Sequence, residues 1–287
     1  MKKFKALAWS GLYIGISLGM QMVLSVIMVI AGTEILIVNG LAGNRDAYVE
    51  MMNQVKDYLT QGSGVLFITA LLDIMLVVVF GLWYYFRENR YPFRPNYKKA
   101  FSKDHILSIV VLAVCGQLAT EILIMGVSAV FPWMMKSYEK YNDLFQLDTA
   151  PPVLMLLLIC VIGPIGEEIL FRGMVYAKLR RAFSIWPAAI ISGLLFGIYH
   201  MNWIQGIYAS LAGIVFAIVY EKTQTIWGSC LLHMLFNGCT YVLEYGVTPL
   251  LPEGSVVVSS VHILVDVISV IVVILVVKHL CSRRREG

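Results

Sequence analysis

The sequence predicts an all-α, polytopic membrane protein with about eight transmembrane helices. Its 287 residues are 59% hydrophobic and 14% charged, whereas soluble domains carry about 25% charged residues. The charged residues also cluster between long apolar runs, and a run of about 20 apolar residues can cross a bilayer as a helix. The sequence shows no internal repeat and no separate soluble domain. We therefore expect a single transmembrane domain over residues 1–287.

Apolar runs define the expected spans. The first, 8–30, exceeds the roughly 7–15 residues of a signal-peptide core, so we expect it to be retained. The fourth is expected to continue as helix to about Arg181, because nothing breaks it before Ser184. Segments 31–62 and 132–150 are long enough only for short surface helices. The remaining runs lie at 64–86, 106–131, 152–171, 187–202, 206–221, 226–245 and 259–280.

The orientation in the membrane follows from Lys and Arg, which favour the cytoplasmic side. Eighteen of the 22 such residues lie in segments that are expected inside, and the others lie in 31–62 and 132–150. We therefore expect both termini in the cytoplasm. These inner segments also explain the net charge of +4, so we expect the lipid bilayer as a partner and no nucleic acid.

The fourth span carries charges that an ordinary membrane helix would not tolerate. Glu167, Glu168 and Arg172 follow a run, 153–161, that has no charged residue. An ionised group at such depth costs about 2.5–3.5 kcal/mol on insertion scales, so these residues must pair or do chemistry. Glu168 and Arg172 stand at i and i+4 and can form an ion pair. Glu167 points about 100° away, which leaves it as the working carboxylate.

Three polar residues of later spans can join Glu167. His200 ends the fifth span, and His233 and Asn237 share one face of the seventh at i and i+4. With a rise of about 1.5 Å per residue, all four groups can lie in one layer. A buried carboxylate can take a proton from water, and an amide with an imidazole can stabilise an oxyanion. The set therefore predicts water-driven hydrolysis of an amide bond.

A catalytic zinc site is the alternative use of these residues. Glu167, His200 and His233 form a two-histidine, one-glutamate ligand set that suits such a zinc. The HExxH motif is absent, so spacing alone does not favour a metal. We expect no cofactor, with zinc as the alternative.

The other intramembrane polar residues are interpreted as structural. We expect isolated carboxylates to be packing or pairing partners and isolated histidines to make interhelical hydrogen bonds. The cysteines show no CxxC spacing, so neither a disulfide framework nor a zinc knuckle is indicated. The residues so interpreted are Asp73, Glu121, Asp266, His262 and His279.

The ordered motifs resemble those of the CAAX-protease and bacteriocin-processing family (CPBP, or Abi) of intramembrane endopeptidases, which includes the Ras-converting CAAX endopeptidases. The family signatures are Glu-Glu-x-x-x-Arg, Phe-x-x-x-His and His-x-x-x-Asn. Here they occupy 167–172, 196–200 and 233–237, and Gly173 follows the first. The resemblance covers about 152–245, which is the expected catalytic core.

The resemblance implies a membrane protease that acts on a peptide or membrane-protein substrate. Glu167 would activate water, and His200 would assist it. His233 and Asn237 would form the oxyanion hole, while the ion pair of the fourth span would support the geometry. The cavity would open toward the cytoplasm of a bacterial cell.

The resemblance leaves several alternatives open. Members of the family have been described both as metalloproteases and as glutamate-dependent proteases, and not all substrates are prenylated. A noncatalytic bacteriocin-immunity or scaffold protein would also reside in the membrane, although the intact motifs argue against it. An ion-coupled transporter would usually show a repeat. Neither the substrate nor the oligomeric state follows from the sequence.

Overall fold

The structure is a computed structural model that describes residues 1–38, 49–50, 53, 62–88, 101–145, 152–250, 252 and 256–282. These residues are almost entirely helical, and no strand occurs among them. The predicted all-α class is therefore confirmed.

A helix occurs at each apolar run that was predicted to span the membrane, and a short helix, α4, lies where a surface helix was expected. The first helix continues beyond its predicted end, and most of the predicted loop that follows lies outside the described residues. The helices are α1 (Lys2–Val38), α2 (Gly62–Glu88), α3 (Lys103–Val130), α4 (Pro132–Phe145), α5 (152–180), α6 (Ile185–Tyr199), α7 (Trp203–Thr223), α8 (Ile226–Val242) and α9 (Val256–Ser282).

Within the described residues, five helices are long and apolar enough to cross a membrane: α1, α2, α3, α7 and α9. Helix α6 is apolar but has only 15 residues, and α5 and α8 carry the polar residues of the predicted site. These properties make the chain an integral membrane protein of the polytopic all-α class. The count of eight spans and the cytoplasmic position of the termini stay predictions.

Helix α5 alternates between α-helical and π-helical turns. Turns of the π type are rare inside α-helices and frequently mark functional sites. Pro164 lacks the N–H that would bond to the preceding turn, so regular α-helical bonding cannot continue through it. The helix runs to Arg180, in agreement with the predicted end. The π-helical turns are Leu158–Ile162 and Ile169–Tyr176.

Glycines let α6 and α7 approach closely. A Cβ on Gly193 would lie 2.6 Å from the carbonyl oxygen of Ser210. A Cβ on Gly197 would clash with the carbonyl oxygen of Gly206 and with the Ser210 hydroxyl. Small residues at such interfaces are how membrane helices bring their backbones together. The backbones of α6 and α7 are therefore closely packed along this part of the bundle.

The turn between α6 and α7 fixes the position of His200. Met201 adopts a φ of 52°, a region that residues other than glycine rarely occupy. Asn202 then caps α7, because its side-chain oxygen accepts the Gln205 N–H at 3.1 Å. His200 consequently sits at the very end of α6.

Helix α1 reaches the same end of α6. The hydroxyl of Tyr199 lies 2.7 Å from Ser17 Oγ and accepts from Gln21 Nε2 at 2.8 Å. Tyr199, which precedes His200, is thereby held in place by α1. The core gathers around α5, where Glu168 and Arg172 are fully buried. Its buried apolar residues include Leu170, Phe171, Val175, Tyr176 and Leu179.

Candidate active site

Glu168 and Arg172 form a fully buried ion pair, with 2.9 Å between Oε1 and Nη1. Arg172 also donates from Nη2 to the carbonyl of Gly213 at 2.9 Å. Its guanidinium lies 4.7 Å and 5.1 Å from the ring centroids of Phe196 and Phe216, and such cation–π attraction is strongest when desolvated. The predicted i, i+4 pair is confirmed, and Arg172 links α5 to α6 and α7.

His233 lies between the two adjacent glutamates. Its Nδ1 is 3.1 Å from Oε1 of Glu168, and its Nε2 is 3.6 Å from Oε2 of Glu167. An ionised carboxylate only accepts hydrogen bonds, so Nδ1 is the donor to Glu168. Nε2 then faces Glu167 and carries a proton only when the ring is an imidazolium.

His200 flanks Glu167 from the other side. Its Nδ1 lies 2.8 Å from the carbonyl oxygen of Phe196, which is free of an α-helical partner because α6 ends here. A carbonyl only accepts, so Nδ1 donates and Nε2 is left facing Glu167 Oε1 at 3.9 Å. The two imidazoles thus face different oxygens of one carboxylate.

Asn237 joins α8 to a π-helical turn of α5. Its Nδ2 donates to the carbonyl of Ile159 at 2.9 Å. A side-chain amide has two N–H donors, so one of them is engaged by this contact.

These groups line a cavity of about 330 Å³. The structure brings all six predicted residues together on α5, α6 and α8, within the interval expected as the core. Four of them line the cavity directly: Glu167, His200, His233 and Asn237.

Asp73 of α2 also lines the cavity and was not expected there. A Cβ on Gly163 would lie 3.2 Å from Asp73 Oδ2, so the glycine permits this carboxylate to pack against α5. From the sequence, Asp73 was predicted to be a packing or pairing partner. The only available signal was a single carboxylate in an apolar run, without a motif around it.

The set of Glu167, His200 and His233 has the chemistry of a zinc site without its spacing. Both imidazoles donate through Nδ1 to an oxygen acceptor, as metal-bound histidines do. The two imidazoles lie 3.6 and 3.9 Å from different oxygens of the Glu167 carboxylate. The three residues do not form a group whose ligand atoms all lie within 4.8 Å of one another. They flank the carboxylate and do not converge on one point.

The fold and the site define a polytopic all-α membrane protein with a carboxylate and two imidazoles around a cavity in its bundle. Residues 149–239 match the sequence model of a family described as Type II CAAX prenyl endopeptidase Rce1-like. Over 107 residues the chain is 30% identical to a protein of Bacillus subtilis (strain 168) described as "Putative membrane peptidase YdiL". This match covers 37% of the chain and 44% of the relative.

The two matches confirm the resemblance to the CPBP family that the motifs indicated. The family match covers the segment that holds all six site residues. The aligned region spans less than half of the curated relative. No solved structure is a significant match.

Proposed function

We propose that this protein is an intramembrane endopeptidase that hydrolyses a peptide bond in a membrane-associated peptide or protein. One observation carries the proposal. The carboxylate of Glu167 faces the Nε2 atoms of His200 and His233, at 3.9 and 3.6 Å, in the wall of a cavity. The descriptions of the matched family and of the relative support the same chemistry.

Glu167 is assigned as the general base. Its distances to both imidazoles exceed the roughly 2.7–3.2 Å of a direct hydrogen bond, and polar groups separated in this way are commonly bridged by water. As the water oxygen forms a bond to the substrate carbonyl carbon, one water proton passes to Glu167. When the C–N bond breaks, this proton goes to the leaving amine with the help of His200, and the carboxylate is restored.

Asn237 and His233 are assigned to the oxyanion of the tetrahedral intermediate. Asn237 keeps one amide N–H beyond the one that it donates to Ile159. His233 donates through Nε2 only as an imidazolium, because its Nδ1 serves Glu168. Glu168 then holds the ring as the buried carboxylate of a Ser-His-Asp triad holds its histidine.

The proposed reaction is metal-free, because the three candidate zinc ligands flank the Glu167 carboxylate from two sides and do not surround a common point. The cavity is proposed to open toward the cytoplasm of a bacterial cell, in keeping with the distribution of Lys and Arg.

The test compares membrane-derived peptides from cells that carry the wild type, Glu167→Gln or Glu139→Gln. Glu139 is an exposed glutamate of α4, so its variant is a matched control. We expect the same cleavage products with the wild type and the control, and none with Glu167→Gln, which should still purify as a folded protein. Cleavage by Glu167→Gln would refute the base assignment. The absence of any product that depends on the wild type would refute the protease.

A further inference from the structure

A second cluster of ionisable side chains lies between α3 and α9. Glu121 is on α3, and His262 and Asp266 stand one turn apart on α9. His262 Nε2 lies 3.1 Å from Glu121 Oε2 and 3.9 Å from Asp266 Oδ1. None of the three lines the cavity of Glu167. Residues that the sequence showed as isolated are thus neighbours.

One oxygen of Asp266 has no hydrogen bond in this cluster. Its side chain is 7% exposed, and its Oδ1 is buried with no hydrogen bond. His262 Nε2 carries at most one proton, and Glu121 is the acceptor within hydrogen-bond distance. A single N–H therefore cannot serve both carboxylates. A buried carboxylate without compensation is costly, and a cation bound at this oxygen would supply the compensation.

The spacing of the cluster suits one ion bound to all three side chains. One ligand atom from each residue lies within 4.8 Å of the other two, and among the described residues this group is the one that meets that condition. The ligand atoms of a tetrahedral zinc stand about 3.3 Å apart, and the distances of 3.1 and 3.9 Å from Nε2 fall on either side of that value. In this cluster one nitrogen, Nε2 of His262, faces the carboxylates of both Glu121 and Asp266.

We propose that Glu121, His262 and Asp266 bind a divalent cation of the zinc class. Imidazole and carboxylate together are ligands that zinc accepts. The two carboxylates neutralise the charge of the ion. The side chains of His262 and Glu121 are 42% and 33% exposed, so the protein does not close off this side of the cluster.

The bound ion would join two walls of a separate apolar cavity of about 660 Å³. Ile122, next to Glu121, lines this cavity, and so does Val270, which lies one turn from Asp266. The ion would therefore fix α9 against α3 at one end of the cavity. Its role is to stabilise the bundle, and it is independent of the proposed hydrolysis at Glu167.

The test titrates ZnCl₂ into the purified, metal-stripped, full-length protein and follows binding by calorimetry and Tm. The cluster variants are Glu121→Gln, His262→Ala and Asp266→Asn. His279→Ala is the matched control, since His279 is an exposed histidine of the same helix. A His200→Ala/His233→Ala double variant removes the imidazoles of the other cavity, so that any zinc it binds is bound elsewhere.

We expect one Zn²⁺ to bind to the double variant and to His279→Ala, with a Tm that rises with zinc concentration as for any ligand of the folded state. Affinity should fall at least about 100-fold in each cluster variant, the upper end of what the loss of an outer-shell partner costs. His262 and Glu121 are partly exposed, so their variants should fold. No zinc-dependent rise in Tm for the wild type, or an equal rise in the Glu121 and His262 variants, would overturn the proposal.

Discussion

His233 Nδ1 lies 3.1 Å from Oε1 of Glu168. The same oxygen is 2.9 Å from Nη1 of Arg172. The sequence assigned this glutamate to an ion pair within one helix, and the structure gives it a second partner on α8. A change in the ion pair should therefore alter the position of the His233 imidazole, which faces Glu167.

Replacement of Arg172 should reduce both stability and activity. Arg172→Ala leaves the buried carboxylate of Glu168 with only the hydrogen bond from His233, and breaking a buried ion pair costs about 3–5 kcal/mol. We expect a lower Tm in detergent and a loss of turnover, while Arg181→Ala, at an exposed position, should resemble the wild type. An unchanged Tm with full activity would show that the pair is dispensable.

Glu168→Gln tests the link to His233 without a change in side-chain size. It also removes the charge that pairs with Arg172, so kcat is compared per folded enzyme. The amide cannot stabilise an imidazolium as a carboxylate does, so kcat should fall by up to about 10⁴-fold, the loss seen when a triad aspartate becomes an amide. KM should change little, because Glu168 does not line the cavity. Steady-state kinetics on the proposed cleavage provide the measurement, and a kcat equal to that of the wild type would contradict the positioning role.

Asn237→Ala should lower kcat by about 10²–10³-fold, which is the usual loss for one oxyanion donor. Thr240→Ala, one turn further along α8, is the control, because the Thr240 hydroxyl bonds to its own helix at Phe236. Tm must be measured alongside kcat, since Asn237 also bonds to Ile159. If the fraction of folded protein falls as far as kcat does, Asn237 is only a structural link.

Hydrolysis should survive prolonged chelation. The experiment uses His262→Ala, so that zinc at the proposed site between α3 and α9 does not confuse the elemental analysis. We expect no stoichiometric zinc in this variant and undiminished turnover. Stoichiometric zinc, together with chelator-sensitive activity that added zinc restores, would replace the glutamate-dependent mechanism by a metal-dependent one.

The contact between α6 and α7 should not tolerate a methyl group. Gly197→Ala would push Cβ into the Gly206 carbonyl and the Ser210 hydroxyl, and overpacking of this kind costs about 1–3 kcal/mol. Gly11→Ala is the matched control, because nothing lies within 4 Å of its added Cβ. Thermal unfolding should show a lower Tm for Gly197→Ala only. A normal Tm would mean that the helices can separate without cost.

The sequence was sufficient where the geometry is local or where motifs occur in order. Helical spacing alone placed Glu168 against Arg172, because i and i+4 always share a face. The motifs brought His200 and His233 to Glu167. They could not show which ring nitrogen faces the carboxylate, since that depends on acceptors contributed by the tertiary fold.

Pairing between distant helices was beyond sequence reasoning. Glu121 and His262 belong to helices far apart in the chain, and each stands in an apolar run that gives no indication of its neighbour. Asp73 reaches the cavity only because α2 packs against Gly163. Such contacts depend on how whole helices are arranged, which the local pattern of residues does not determine.

The π-helical turn at Leu158–Ile162 makes residue number as important as residue identity in this part of the chain. Closing a turn with i→i+5 bonds takes up one residue more than an α-turn does. Deletion of one residue from this turn would let it close as an ordinary α-turn, with the following helix nearly in phase. Deletion of one residue after it, between Gly163 and Glu167, would instead turn the helix by about 100° and carry Glu167 off the face that meets His200 and His233. The motif residues would all be present, yet out of phase with their partners. The number of residues between the π-helical turn and Glu167 is therefore as tightly constrained as the glutamate itself.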